Sequence, residues 1–162
     1  CFQGRMEFGP RSLGNRSILV SAADKSVNEW LNTKLKRTEF MPFAPITLQK
    51  YANKMYKNLS KKKLASKFMT ITTECTKEAI KISPAAVHID NTARPQIITM
   101  KDNKRIYNIL KEYYKISKIP NLINTSFNVH EEPIVCSPND AIRAFNTSKL
   151  DYLYMGEYIV YK

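Results

Sequence analysis

Cysteine and histidine are scarce in this chain of 162 residues, which excludes two of the cheaper ways to stabilise or arm a small domain. The three cysteines, Cys1, Cys75 and Cys136, are odd in number and lack C-x-x-C spacing. They therefore argue against a disulfide framework and against a zinc site, and point to a reducing, cytoplasmic setting. The two histidines, His88 and His130, lie far apart and belong to no H-E-x-x-H pattern, so no metal site of this chain's own is expected. No apolar run approaches the roughly 20 residues that a membrane-spanning helix needs. There is no basic-apolar leader and no initiator methionine, internal repeat or low-complexity tract, and the chain is expected to be a piece of a longer protein.

Acidic residues are also in deficit, 14 against 26 lysines and arginines, a net charge of +12. Such a charge serves nucleic acid, an anionic small substrate, or solubility alone. The run Lys61-Lys62-Lys63, with Lys50, Lys54, Lys57 and Lys67 nearby, contains no arginine and reads as a solvated face. The arginines lie elsewhere: Arg5, Arg11, Arg16, Arg37 and Arg94 fall in or beside motif-like segments, while Arg105 and Arg143 read as helix-surface residues.

At 43% hydrophobic content the chain suits one domain, 1–162, that buries about 70% of the surface of its unfolded form. Residues 17–22 read as a buried strand, followed by a helix from Asp24 or Ser26 to Lys36 with Val27, Trp30, Leu31 and Leu35 on one face. Pro42 and Pro45 forbid its continuation. Further on come a strand at 46–48, a lysine-rich helix at 50–59, a mobile loop at 60–67, a strand at 68–72 and a short helix at 77–82. Residues 87–96 read as strand, turn, strand, with Asn91 suited to positive φ, and 97–100 continues extended. The clearest amphipathic helix spans 103–117. The polar run 124–128 favours neither bare helix nor strand, 133–136 reads as a short strand, and Ser137-Pro138-Asn139-Asp140 opens a helix to about Asn146. Strands at 152–155 and 158–161 pair across Gly156-Glu157. Strands and helices mix without strict alternation, so the expected fold is α/β, a mixed twisted sheet with helices on its faces.

Three of the four glycines and three arginines fall within the first sixteen residues, Cys1-Phe2-Gln3-Gly4-Arg5-Met6-Glu7-Phe8-Gly9-Pro10-Arg11-Ser12-Leu13-Gly14-Asn15-Arg16. Glycine admits close approach of backbone to a ligand, and arginine offers planar donors for phosphate or carboxylate oxygens, so this is an anion-handling loop. With three further segments it resembles the C-terminal domain of the O-carbamoyltransferase family, which includes nodulation-factor and antibiotic carbamoyltransferases. The others are Leu31-Asn32-Thr33-Lys34-Leu35-Lys36-Arg37 with Pro42-Phe43-Ala44-Pro45; His88-Ile89-Asp90-Asn91-Thr92-Ala93-Arg94; and Asn124-Thr125-Ser126-Phe127-Asn128-Val129 with Glu132-Pro133-Ile134-Val135. They stand in the family's order from end to near-end.

The resemblance implies a fold similar to threonylcarbamoyl-adenylate synthases and the formation of carbamoyl adenylate from carbamoyl phosphate and ATP, with Mg²⁺ accompanying the nucleotide. Transfer to a hydroxyl acceptor would fall to an N-terminal, iron-containing domain outside this sequence. Carried over residue by residue, the resemblance gives Arg11 and Lys36 to phosphate groups and places Arg94 in the same anionic pocket. Ser126 and Asn128 match a Ser-x-Asn element that acts with Lys36 as the catalytic set, and Arg5, Lys34 and Arg37 are further phosphate candidates. The chain departs from the family at Met41, where arginine is common, in a Lys34–Arg37 stretch one residue shorter, and at Asn91, where glycine is usual.

Each residue also has a plainer reading. The loop arginines can bind acidic neighbours such as Glu7, Lys34 and Lys36 can be solvated helix-end lysines, and Ser126 with Asn128 can build a turn. Mg²⁺ held by Asp90 and Glu131-Glu132 is a minority reading, since isolated acids here follow no established coordination pattern. Two other functions compete: a basic RNA-binding module, motivated by the charge, and a degenerate domain that only docks a transferase partner, motivated by Met41.

Overall fold

In a computed structural model, residues 1–35, 43–129, 132–148 and 150–162 are described. Lys36, Arg37 and Met41 lie outside them.

The centre is a four-stranded sheet ordered β1 (Ser17–Val20), β6 (Asn121–Ser126), β2 (Ala44–Leu48), β5 (Gln96–Ile98). β6 runs antiparallel to both neighbours, whereas β2 and β5 are parallel, so the sheet is mixed, as expected. A parallel pair needs a long crossover. Residues between β2 and β5 supply it through α2 (Ala52–Met55), β3 (Thr73–Glu74), α3 (Lys77–Ile82) and β4 (Thr92–Ala93). β3 and β4 pair antiparallel.

Alternation along the strands sends side chains to two cores. Ile18 and Ile123 face α1 (Ser26–Lys34) and α5 (Pro138–Ser148), with Leu31, Phe127, Phe145 and Leu153. Ile46, Leu48, Ile98 and Leu122 face Ile106 and Leu110 of α4 (Lys104–Ser117). Each fully buried aliphatic side chain is worth about 1.5–3 kcal/mol, enough to fix α4 on that face. Asn103 caps α4 by accepting from the Ile106 N–H, and Lys118 ends it in left-handed conformation at φ 61°. At α5 the Asp140 carboxylate accepts from the Ser137 backbone N–H while the Ser137 hydroxyl accepts from the Asp140 N–H, the reciprocal cap read from the sequence. The hairpin of β7 (Tyr152–Met155) and β8 (Tyr158–Tyr161) turns at Gly156, φ 67°.

Five local expectations are corrected. The polar run after Leu122 is strand: Asn124 sits at the sheet centre because its amide N–H groups donate to the Ser12 carbonyl and to Gln96 Oε1, which offsets the cost of burying those donors. Residues 68–72 form no strand, since Met69 takes φ 54°, and the pairing begins at Thr73. The helix expected over 50–59 stops at Met55, because Tyr56 turns extended to bridge Cys75 and to pair its buried hydroxyl with Thr47. Residues 133–136 join no sheet, although the Val135 N–H donates to the Phe127 carbonyl. The segment expected as a mobile loop over 60–67 folds as short 3-10 turns with Ser66 buried.

Candidate functional site

The arginine loop is held by interactions that occupy some of its charged groups and leave others over. Glu7 Oε1 accepts from the backbone N–H groups of Leu13 (2.7 Å), Asn15 (2.6 Å) and Arg16 (3.4 Å). Arg16 is buried; its guanidinium donates to the carbonyls of Gln3 (2.7 Å), Gly4 (3.2 Å) and Asn15 (3.1 Å) and lies 3.8 Å over the Phe2 ring. Burial pulls it below the ordinary arginine value, opposed by the charge of Glu7. Arg16 is therefore a fastener. Gly14, at φ 123°, lets the loop press on α4, where a Cβ would lie 2.6 Å from Ile106 Cγ1. Gln96 Nε2 donates to the Leu13 carbonyl, tying the loop to β5.

So held, the loop presents Arg11 to the end of the sheet. A hollow of about 90 Å³ is lined there by Arg11, Ser12, Phe43, Met69, Arg94 and Ser126, among others. Arg94 follows β4 directly, and Ser126 ends β6. Two arginines share this hollow and none of its lining residues is acidic. Burial first, and the neighbouring Arg11 charge second, bring Arg94 below the ordinary guanidinium value. Among the described residues, Arg94 Nε and Asn124 Oδ1 are buried without a hydrogen-bond partner. Asn124 also lines the hollow, so a donor and an acceptor stand unsatisfied at one site.

Ser126 and Asn128 form the turn beyond β6: the Ser126 hydroxyl donates to Asn128 Oδ1 (2.7 Å), and Asn128 Nδ2 donates to the Glu132 carbonyl (2.8 Å). Ser126 lines the hollow, whereas Asn128 does not and is joined to it through the Ser126 hydroxyl. Arg5 is exposed and does not line the hollow, while Lys34 lies 4.9 Å over the Trp30 ring on α1. Lys36 and Arg37 fall outside the described residues. The sequence reading assigned no role to Asn124 or Gln96; their signal was polar residues inside otherwise apolar strands, which need partners.

His88 donates through its backbone to the Thr92 carbonyl, and its ring pairs with the Thr92 hydroxyl at 3.0 Å. Burial lowers its pKa, opposed by Asp90. Asn91 carries φ 61°, so the turn survives without glycine. His88, Ile89, Val87 and Phe43 line a larger hollow of about 520 Å³, and Phe43 is common to both hollows. The lysine face is partly paired, Lys54 with Glu78, Lys57 with Glu74 and Lys67 with Asp102. Among the described residues no group of three or more His, Cys, Asp or Glu side chains is gathered to hold a metal ion, and no helix is long and apolar enough to cross a membrane.

This mixed α/β domain brings two arginines, Arg11 from the glycine-bearing loop and Arg94 from the end of β4, to one small concavity at the end of its central sheet. The chain belongs to the carbamoyltransferase C-terminal family, whose model, described as "Carbamoyltransferase C-terminus", matches residues 1–162. It is 41% identical over 160 residues to an uncharacterized protein of Methanocaldococcus jannaschii, covering 99% of this chain and 30% of that protein. It is 37% identical to nodulation protein NolNO of Sinorhizobium fredii (99% of this chain, 24% of the relative) and 33% identical to nodulation protein U of Rhizobium tropici (93% and 25%). The chain thus spans about a quarter to a third of the length of these relatives.

Proposed function

We propose that this domain binds carbamoyl phosphate in the arginine hollow and, with ATP, forms carbamoyl adenylate for O-carbamoyl transfer by the remainder of a longer carbamoyltransferase. The observation that carries the reading is the pairing of Arg11 with Arg94 in a lining without acids. Two guanidiniums in one partly buried site repel each other, and a dianion relieves that repulsion with charge-assisted bonds of about 1.5–3 kcal/mol each. The size agrees: about 90 Å³ suits a phosphoryl or carbamoyl group and is too small for a nucleotide. Asn124 Oδ1 is an acceptor suited to the carbamoyl N–H₂, and the Ser126 hydroxyl is a neutral partner beside it. The larger hollow beyond Phe43 has the volume for a nucleoside, and we assign it to ATP.

Atoms balance in two steps. Water takes the phosphoryl group from carbamoyl phosphate and leaves carbamate and phosphate; a carbamate oxygen then attacks the α-phosphorus of ATP and expels pyrophosphate. Neither step needs a protein nucleophile, so the side chains act by positioning and by neutralising charge. In this proposal Arg11 and Arg94 hold the phosphate oxygens, Ser126 orients the carbamoyl group with its hydroxyl held by Asn128, and Mg²⁺ would accompany the nucleotide. Lys36 and Arg37 receive phosphate roles from the family resemblance alone. The test is phosphate and pyrophosphate release by the full-length protein supplied with carbamoyl phosphate, ATP and Mg²⁺. Pyrophosphate formation that requires carbamoyl phosphate supports the proposal; its absence while carbamoyl transfer to an acceptor proceeds would remove adenylate formation from the mechanism.

A further inference from the structure

The first two residues occupy an unusual place. Cys1 and Ser17 exchange both backbone bonds, Cys1 N to the Ser17 carbonyl (2.7 Å) and Ser17 N to the Cys1 carbonyl (3.1 Å). Phe2 bridges Arg16 antiparallel on one side and Met155 parallel on the other, donating to the Tyr154 carbonyl while accepting from the Gly156 N–H. Cys1 and Phe2 are thus a two-residue stub of strand wedged between the β1 edge and the β7 edge. Beyond the stub the same two edges continue, Ser17–Val20 and Tyr152–Met155, and a hollow of about 270 Å³ lies between them, lined by Ile18, Leu19, Val20, Tyr152, Leu153 and Tyr154, among others.

We infer that this slot is filled by an extended strand of about four residues from the polypeptide that precedes this domain in the full-length protein, so that Cys1 and Phe2 are its last two residues. The strand joins the four-stranded sheet to the β7–β8 pair as one continuous sheet of seven. The register follows from the stub. Bonding alternates along an antiparallel pair, so after Ser17 the next β1 residue facing the slot is Leu19, opposite the second residue before Cys1. On the parallel side, the residue immediately before Cys1 faces Leu153, donates to the Tyr152 carbonyl and accepts from the Tyr154 N–H.

Two observations support this occupant. The relatives extend to three or four times this chain's length, and the family model that matches this chain is described as a carbamoyltransferase C-terminus, which places further polypeptide before it. The two sides of the sheet also agree: the residue before Cys1 is opposite Ile18 and Leu153, both in the α1–α5 core, and the one before it is opposite Leu19, which packs on the α4 side. A strand covered on both faces requires apolar residues at consecutive positions. The strand also ends at Phe2, against which Arg16 fastens the arginine loop, so it ties the preceding polypeptide directly to the loop that carries Arg11.

Amide hydrogen exchange on the full-length protein, resolved to single residues, tests this. The expected result is exchange at least about 100-fold slower than in an unstructured peptide for the residues just before Cys1, together with slow exchange at Leu19 and Tyr154. Proline in place of the residue immediately before Cys1 should remove the bond to Tyr152 and speed exchange at Leu19 and Tyr154. Peptide-like rates before Cys1 in the unsubstituted protein would overturn the inference. So would slow exchange there with fast amides at Leu19 and Tyr154, which would place that segment elsewhere.

Discussion

Replacing Arg94 with methionine separates a binding arginine from a structural one, because the two roles predict opposite signs for stability. Arg94 keeps a buried Nε without a partner among the described residues and sits beside Arg11, so in the empty site it is a cost. An unsatisfied buried donor costs about 1–3 kcal/mol, and methionine fills similar space without it. At about 2–4 °C per kcal/mol for a chain of this size, the variant should melt at least about 2 °C higher in phosphate-free buffer. Binding should move the other way. Loss of one charge-assisted contact of about 1.5–3 kcal/mol weakens phosphate affinity roughly 10- to 150-fold. Thermal unfolding by circular dichroism across a phosphate series reads both, since a bound anion raises the midpoint by mass action. The unsubstituted protein should show a rising midpoint and Arg94→Met a higher but flat one. A variant that melts several degrees lower and keeps the full phosphate response would refute the reasoning and make Arg94 a structural residue.

Gly14→Ala should lower stability by about 1–3 kcal/mol in urea unfolding, since the new Cβ meets Ile106 Cγ1 at 2.6 Å in a backbone conformation that L residues avoid. Arg16→Lys should destabilise by roughly 1.5–3 kcal/mol in the same assay, because one ammonium cannot reach the three carbonyls that the guanidinium spans, and phosphate binding should weaken as the loop loosens. Burial, with a smaller contribution from the Asp90 charge, pushes the Cys75 thiol up to about 11, whereas Cys136 is exposed. At pH 8 an alkylating reagent followed by peptide mass mapping should label Cys136 readily and Cys75 only after denaturant is added.

Much of this fold is legible where local chemistry and tertiary demand agree. α4 is read nearly to the residue because its apolar spacing, its Asn103 cap and its buried Ile106 and Leu110 all point the same way. The β7–β8 hairpin is read for the same reason, with Gly156 supplying the turn. The misreadings fall where tertiary contacts override local preference. Asn124 looks unfit for a central strand until Ser12 and Gln96, far away in sequence, supply its partners. Tyr56 leaves a helix-favouring segment because its hydroxyl is buried against Thr47. At the site, the motif arginines separate by role only in three dimensions: Arg16 is consumed by backbone carbonyls, Arg5 points to solvent, and Arg11 joins Arg94 across more than eighty residues of chain. Composition treats the three loop arginines alike. Which of them is left for a ligand depends on carbonyls and a carboxylate that only the folded loop brings within reach.

The central claim is that the Arg11–Arg94 hollow is a carbamoyl phosphate site, and calorimetric titration of carbamoyl phosphate into the full-length protein tests it most directly. The account predicts saturable binding at one anion per domain, competed by inorganic phosphate and weakened at least about tenfold by Arg94→Met. Binding that is equally tight in that variant, or that inorganic phosphate leaves untouched, would contradict it.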